Sequence, residues 1–145
     1  MSPWYVTGFC EGEGTFTYNR SGKKNVALVF AVKLAATDSA LLERLKEFFG
    51  CGNLYAVKPR VSSAHNTRTK AALYYRVSKV QDLVEKIVPH FDKHPLRGKK
   101  ARRFALWREA VMLKRNRFSV DHERLSRVLY FLSRLQAARR SKEEG

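Results

Sequence analysis

Apolar positions recur along this chain with two alternating periods, and the changes between them mark the elements. PWYVTGFCEGE (3–13) has the features of a helix, with Ser2 at the N-cap, Pro3 at the first helical position and Gly14 as a stop. TFTY (15–18) alternates in strand fashion, NRSGKK reads as a turn, and NVALVFAVKL (25–34) as a long strand. That strand is apolar on both faces, which predicts a central, covered place. Thr37 or Asp38 caps a second helix, SALLERLKEFF, with Leu41, Leu42, Leu45, Phe48 and Phe49 as its stripe and Gly50 as its end. NLYAVKPR and AALYYRVS are two further strands, joined by VSSAHNTRTK as a long basic loop.

Ser78 and Gln81 fit a capping box for a third helix, VQDLVEKIV, which HPLRGKK breaks. ARRFALWREAVMLKR is a fourth helix, with Phe104, Trp107 and Val111 on one side. DHERLSRVLYFLSRLQAARR is a fifth, with Leu125, Val128, Leu129, Leu132 and Leu135 as its stripe, and SKEEG is expected to fray. Both tryptophans, Trp4 and Trp107, read as core. No internal repeat or linker interrupts the chain, so residues 1–145 read as one domain.

The order α-β-β-α-β-β-α-α-α predicts an α+β fold. Two hairpins, each following a helix, make a four-stranded antiparallel sheet with helices on one face and the other face open. Charge gives that open face a meaning. The chain carries 29 Lys+Arg against 13 Asp+Glu, a net +16. So large a surplus calls for a polyanionic partner. No Asp or Glu lies between Glu13 and Asp38, or between Glu47 and Asp82. Those gaps contain the two hairpins, with Arg20, Lys23, Lys24 and Lys33 in the first and Lys58, Arg60, Arg68, Lys70, Arg76 and Lys79 in the second. A curved cationic sheet suits the groove of double-stranded DNA. No stretch has the length and apolarity of a membrane span, and the N-terminus lacks a signal-peptide pattern. Cys10 and Cys51 form no CxxC, which argues against a zinc ribbon or disulfide scaffold and for an intracellular, reducing compartment.

Against this background EGEG (11–14) stands out, two carboxylates at the end of a helix that is already partly negative. With the unpaired carbonyls of the last turn they gather hard oxygen ligands of the kind Mg2+ takes, and a metal there would bridge carboxylate and phosphate. Gly8 and Gly12 share one side of the same helix, where small residues let another backbone approach or pack on the protein's own core.

WYVTGFCEGEGTF resembles the signature helix of the LAGLIDADG homing endonucleases, and VTGFCEGEG follows the nine-residue motif in character position by position. FAVKLAATDSALLERLKEFFGCGNLY is similar to the family's second strand, second helix and third strand, and HPLRGKKARRFALWREAV to the basic turn and helix after its sheet. The likeness covers roughly residues 3 to 115 and implies an αββαββα core with extra C-terminal helices. It implies a homodimer, since one signature helix needs a partner, with Gly8 and Gly12 at the interface. It implies metal-dependent cleavage of a long, near-palindromic DNA site, with Glu13 and the Gly12 carbonyl holding Mg2+, for which Ca2+ or Mn2+ can substitute. Glu11 matches the first acid of the motif, with a less direct role. Lys99 and Lys100 are both candidates for the basic residue that completes such a site. Leu34 stands where relatives often carry a polar residue that orders water, which leaves open a cleavage-deficient binding protein, either an RNA maturase or a DNA-binding regulator. Bacterial cytoplasm, chloroplast and mitochondrion all fit such an intron-encoded protein.

Strand parity assigns the DNA contacts. With Phe16 and Tyr18 facing the helices, Thr15, Thr17 and Asn19 face DNA, and Lys33 points away from Leu34 to that same side. Tyr74 and Arg76 share one face of the fourth strand, with Tyr75 and Val77 on the core side. Arg76 suits a guanine edge or a phosphate. Tyr55, Lys58, Arg60, Arg68 and Lys70 are expected to position the duplex around the second hairpin. His90 and His94 lie between Pro89 and Pro95 in what reads as a broken segment, so no metal pair is expected there.

Overall fold

The computed structural model describes residues 1–22, 25–58, 61–62, 67–68, 71–116 and 119–144. The elements are α1 (Pro3–Glu13), β1 (Gly14–Ser21), β2 (Asn25–Ala35), α2 (Ser39–Phe49), β3 (Asn53–Val57), β4 (Val61–Ser62), β5 (Thr67–Arg68), β6 (Ala72–Val77), α3 (Val80–Asp82), α4 (Val88–Lys93), α5 (Lys100–Lys114) and α6 (His122–Glu144). A four-stranded antiparallel sheet runs in the order β1-β2-β6-β3, with helices on one face. Long β2 is central, as its two apolar faces require.

Local chemistry sets most boundaries. The Ser2 hydroxyl accepts from the Tyr5 N–H at 3.1 Å, and Pro3 opens α1. Gly50 ends α2 in the left-handed conformation, φ +70. Gly14 ends α1 for a different reason. Its backbone is extended, but a Cβ there would lie 2.8 Å from the Cys10 carbonyl oxygen. The missing side chain lets the chain pass straight from helix into β1.

Several elements differ from the sequence expectation. The third helix does not stop before His90. α3, a π-helical stretch (Leu83–Ile87) and α4 run on through Pro89 to Lys93, with helical backbone at both junctions. Proline lacks an N–H and crowds the carbonyl four residues earlier, and a π turn just before it accommodates both. His90 and His94 therefore do not lie on a broken segment; their rings stack at 5.3 Å. The capping box is absent. Lys79 holds the N-cap position without a side-chain bond, and Gln81 Nε2 donates to Glu85 at 3.3 Å. The basic loop contains the short β4–β5 pair. SKEE continues α6 to Glu144.

The core lies between sheet and helices. Phe16 is its hub, with the rings of Phe30, Phe91, Phe104 and Trp107 at 5.1 to 5.4 Å. α5 covers the sheet at edge strand β1, where Arg103 Nε donates to the Phe16 carbonyl at 3.1 Å and Trp107 Nε1 to that of Thr17 at 3.0 Å. Tyr18 meets Ser133 of α6 through its hydroxyl at 2.8 Å. Trp107 is core as expected, but Trp4 is 52% exposed, edge-on to His94 with the Arg97 guanidinium over its ring. It sits on the outer side of α1, whose buried side is Val6, Thr7 and Cys10.

Candidate nucleic-acid interface and metal site

Because α1 turns directly into β1, its last residue stands at the corner of the sheet. Glu13 is exposed there, with no hydrogen bond or ion pair among the described residues. Two residues on, Thr15 begins the open sheet face. Glu11 points elsewhere, as two helical steps of about 100° demand. Its Oε1 accepts from the backbone N–H groups of Arg97 and Gly98 at 2.6 and 3.0 Å. Adjacent carboxylates in sequence thus have different employment in space.

The two candidate lysines are also separated by geometry. Lys99 is exposed. Lys100 is 9% exposed, and its Nζ donates to the Cys10 carbonyl at 3.1 Å, in the last turn of α1. Burial pushes the Cys10 thiol up to about 12, and the Lys100 charge offsets this only in part, so the cysteine stays a protonated core group.

On the open face of the sheet Thr15, Thr17, Asn19, Lys33, Tyr55, Tyr74 and Arg76 line one groove of about 500 Å³, floored by Val29 and Ala31. Register explains the convergence. Lys33 and Tyr55 both pair with Tyr74, Thr15 and Arg76 both pair with Ala31, and Thr17 pairs with Val29, so like-facing residues of neighbouring strands fall side by side on successive cross-strand rows. Small Ala31 lets the Arg76 arm reach across β2 toward β1. With the Asn19 amide oxygen turned to it, Arg76 Nη2 donates at 3.1 Å, while Asn19 Nδ2 donates to the Tyr18 carbonyl at 3.3 Å. Arg76 Nε is buried without a partner among the described residues. The Lys33 ammonium lies 5.3 Å from the centre of the Tyr74 ring. Leu34 faces the other way and packs against the core. Lys58 is exposed just past β3, and Arg68 pairs with Val61 in the short ladder. Arg60 and Lys70 lie outside the described residues.

Gly8 and Gly12 are both exposed, and a Cβ built on either would meet nothing within 4 Å. They serve no close packing among the described residues. Trp4 and Tyr5, about half exposed, continue that outer side of α1 toward its N-terminus.

Sequence reasoning missed three participants. The Arg97–Gly98 turn is engaged through its backbone, which no residue type advertises. Arg103 reads as one more surface cation, although it holds β1. Thr7, buried in α1, donates to the His94 carbonyl at 2.8 Å and meets His90 Nε2 at 3.0 Å, fixing α1 on α4. Burial, with the neighbouring His94 adding to it, holds His90 down at about 4. Among the described residues no three His, Cys, Asp or Glu side chains form a metal-binding group, and no helix is long and apolar enough to cross a membrane.

A helix that ends in carboxylates thus stands at the corner of a polar and cationic antiparallel sheet. The model of the family described as LAGLIDADG endonuclease matches residues 6–111, and the chain belongs to that family. It is 29% identical over 125 residues to the "Probable intron-encoded endonuclease 2" of Neurospora crassa, covering 86% of this chain and 25% of the relative. It is 31% identical over 126 residues to the "Uncharacterized 50.9 kDa protein in ND4 intron 1" of Podospora anserina, covering 81% of this chain and 25% of the relative. Among solved structures, I-SmaMI bound to uncleaved DNA target in the presence of calcium ions superposes with a TM-score of 0.73 at 27% identity, over 95% of this chain and 48% of that one. The LAGLIDADG meganuclease I-AabMI bound to uncleaved DNA gives 0.71 at 28% identity, over 88% and 42%. The chain therefore spans about a quarter of these curated relatives and less than half of these solved chains.

Proposed function

We propose that this chain is the subunit of a sequence-specific double-strand DNA endonuclease that acts as a homodimer on a long, near-palindromic site, by divalent-metal-dependent phosphodiester hydrolysis. The observation that carries the reading is Glu13, a carboxylate without a partner among the described residues, at the corner where α1 enters a cationic sheet. The donor chemistry fits Mg2+, for which Ca2+ or Mn2+ can stand in, because Glu13 and the last-turn carbonyl of Gly12 are both hard oxygens. One copy supplies one such carboxylate, and a second signature helix across Gly8 and Gly12 supplies its counterpart. When bound, the metal supplies a water of lowered pKa and stabilises charge on the leaving oxygen.

The chain's own groups have distinct tasks. Glu13 holds its charge beside the scissile phosphate. Lys100, fixed against the Cys10 carbonyl, sets a buried cation behind the helix end, and is favoured over exposed Lys99. Arg76, Lys33 and Asn19 contact base edges or phosphates in the groove of the duplex, with Thr15, Thr17, Tyr55 and Tyr74 around them and Lys58 and Arg68 outside.

Glu13→Gln tests the reading, since it keeps shape and removes the ligating charge. Cleavage in Mg2+ should fall by roughly 10³-fold or more, while affinity for duplex in Ca2+ is kept or improved. Cleavage at the parent rate would remove the endonuclease function. A second reading, a binding protein of the same fold that does not cut, is favoured by Leu34 packing into the core where a polar group would order water. Tight duplex or intron RNA binding by the parent protein, with no cleavage in Mg2+ or Mn2+, would select it.

A further inference from the structure

We infer that Glu11 is a positioning residue, whose carboxylate clasps the Arg97–Gly98 turn and so delivers Lys100 to the end of α1. The consequence for cleavage rests on the proposed endonuclease function; the clasp itself rests on geometry. One oxygen of Glu11 receives two consecutive backbone N–H groups, at 2.6 and 3.0 Å. Successive N–H groups pointing at one anion form a nest, and bonds to an ionised acceptor are stronger than neutral ones.

The turn leads directly into α5. The Gly98 carbonyl accepts from the Ala101 N–H at 3.0 Å, and α5 begins at Lys100. Lys100 then returns to α1, donating to the carbonyl of Cys10, the residue before Glu11. Two adjacent residues of α1 thus hold two points of one short segment, and the segment has little freedom between them.

Three other features agree. α5 has no side-chain cap and no acidic residue in its first turn, so the negative charge of Glu11 beside its start complements the positive helix end. A Cβ on Gly98 would come within 3.3 Å of Glu11 Oε2, so that position leaves room for the carboxylate. Leu96, 5% exposed, anchors the chain just before the clasp, and the Arg97 guanidinium lies over the Trp4 ring. Swinging Glu11 toward the sheet to share a metal with Glu13 would leave two backbone donors without their partner.

Clasp and metal ligand predict opposite orders among conservative variants. A ligand needs charge, so Glu11→Asp would retain more activity than Glu11→Gln. A clasp needs an acceptor at full reach, so Glu11→Gln should stay within about 10-fold of the parent cleavage rate. Glu11→Asp and Glu11→Ala should lose about 10²-fold through displacement of the turn. The order is read in Mg2+, with duplex affinity in Ca2+ as control. Amide hydrogen exchange at Arg97 and Gly98 reads the clasp without any cleavage, and should quicken about 10-fold or more in Glu11→Ala and much less in Glu11→Gln. In a Lys100→Met background Glu11→Ala should add little further loss, because it acts through that lysine. The reverse variant order, unchanged exchange in Glu11→Ala, or full additivity with Lys100→Met would each overturn the proposal. If the parent protein does not cut at all, the endonuclease reading fails, and exchange still decides the clasp.

Discussion

Glu11 and Glu13 share a helix end and differ in everything around them, and the same holds for Lys99 and Lys100. In both pairs one member is held by backbone groups from a distant part of the chain and the other is exposed. Lys100→Met should lower cleavage by about 10²-fold or more, as loss of a fixed charge in a shielded site does, while Lys99→Met should stay near the parent rate. Single-turnover rates on a duplex target check this. Arg76 Nη2 is bonded to Asn19 and its Nε is buried without a partner among the described residues, so contact with DNA falls to the other N–H groups of the guanidinium. Arg76→Ala should cost about 1–3 kcal/mol on the preferred target and relax discrimination at one base pair of each half-site. Asn19→Ala should loosen the same contact with a smaller loss. A panel of single-base target variants measures both effects.

The helical stretch from Val80 to Lys93 carries α1 on its back. Thr7 donates to the His94 carbonyl, so its oxygen can only accept from His90, which assigns the imidazole proton to Nε2. His90 stays neutral down to about 4, against an ordinary 6.5. Below pH 6.5 the unfolded chain takes up a proton that the folded chain refuses. Stability is thus full above that pH and falls as pH drops toward 4. The loss at pH 5 should be about 2 kcal/mol, read from urea midpoints at pH 7.5 and 5, and His90→Gln should remove this contribution. α1 has a second, outward side. Gly8→Leu adds bulk where none of the described residues stands, so the monomer should fold with a midpoint close to the parent's. Pairing of signature helices should fail, and cleavage with it. Unchanged cleavage would show that Gly8 does not face a partner helix.

With a net charge of +16 and acid-free hairpins forming its sheet, the molecule should bind duplex mainly through phosphates. Log affinity should fall with log salt at a slope of roughly −0.9 per phosphate neutralised. Fluorescence anisotropy across a salt series measures it, and a flat response would remove DNA as the partner. A homodimer requires a site with twofold character, because equivalent subunits meet equivalent half-sites. The matched relatives are longer, and in a longer chain the second signature helix could belong to the same polypeptide. The mass of the DNA-bound species by sedimentation separates these arrangements.

Much of this was legible along the chain because its physical causes are local. Ser2-Pro3 and Gly50 fixed helix ends through backbone chemistry that acts within a turn. The alternation in β1 and β6 placed Phe16 and Tyr75 inward and Thr15 and Arg76 outward, since a strand has only two faces. EGEG marked the point where α1 ends and the chain enters the sheet. Other features depended on which distant surfaces meet. Trp4 has a core residue's chemistry but stands at the margin, half exposed, with only His94 and Arg97 against its ring among the described residues. Pro89 breaks most helices, yet here a π turn and burial of Ile87, Val88 and Phe91 keep one running. Lys100 is held and Lys99 is not because of one carbonyl 90 residues earlier in the chain, and Glu11 is engaged by two N–H groups more than 80 residues later. Residue types state what a group can do. Packing across such separations settles which of two like neighbours is held, because the two point in different directions from the helix.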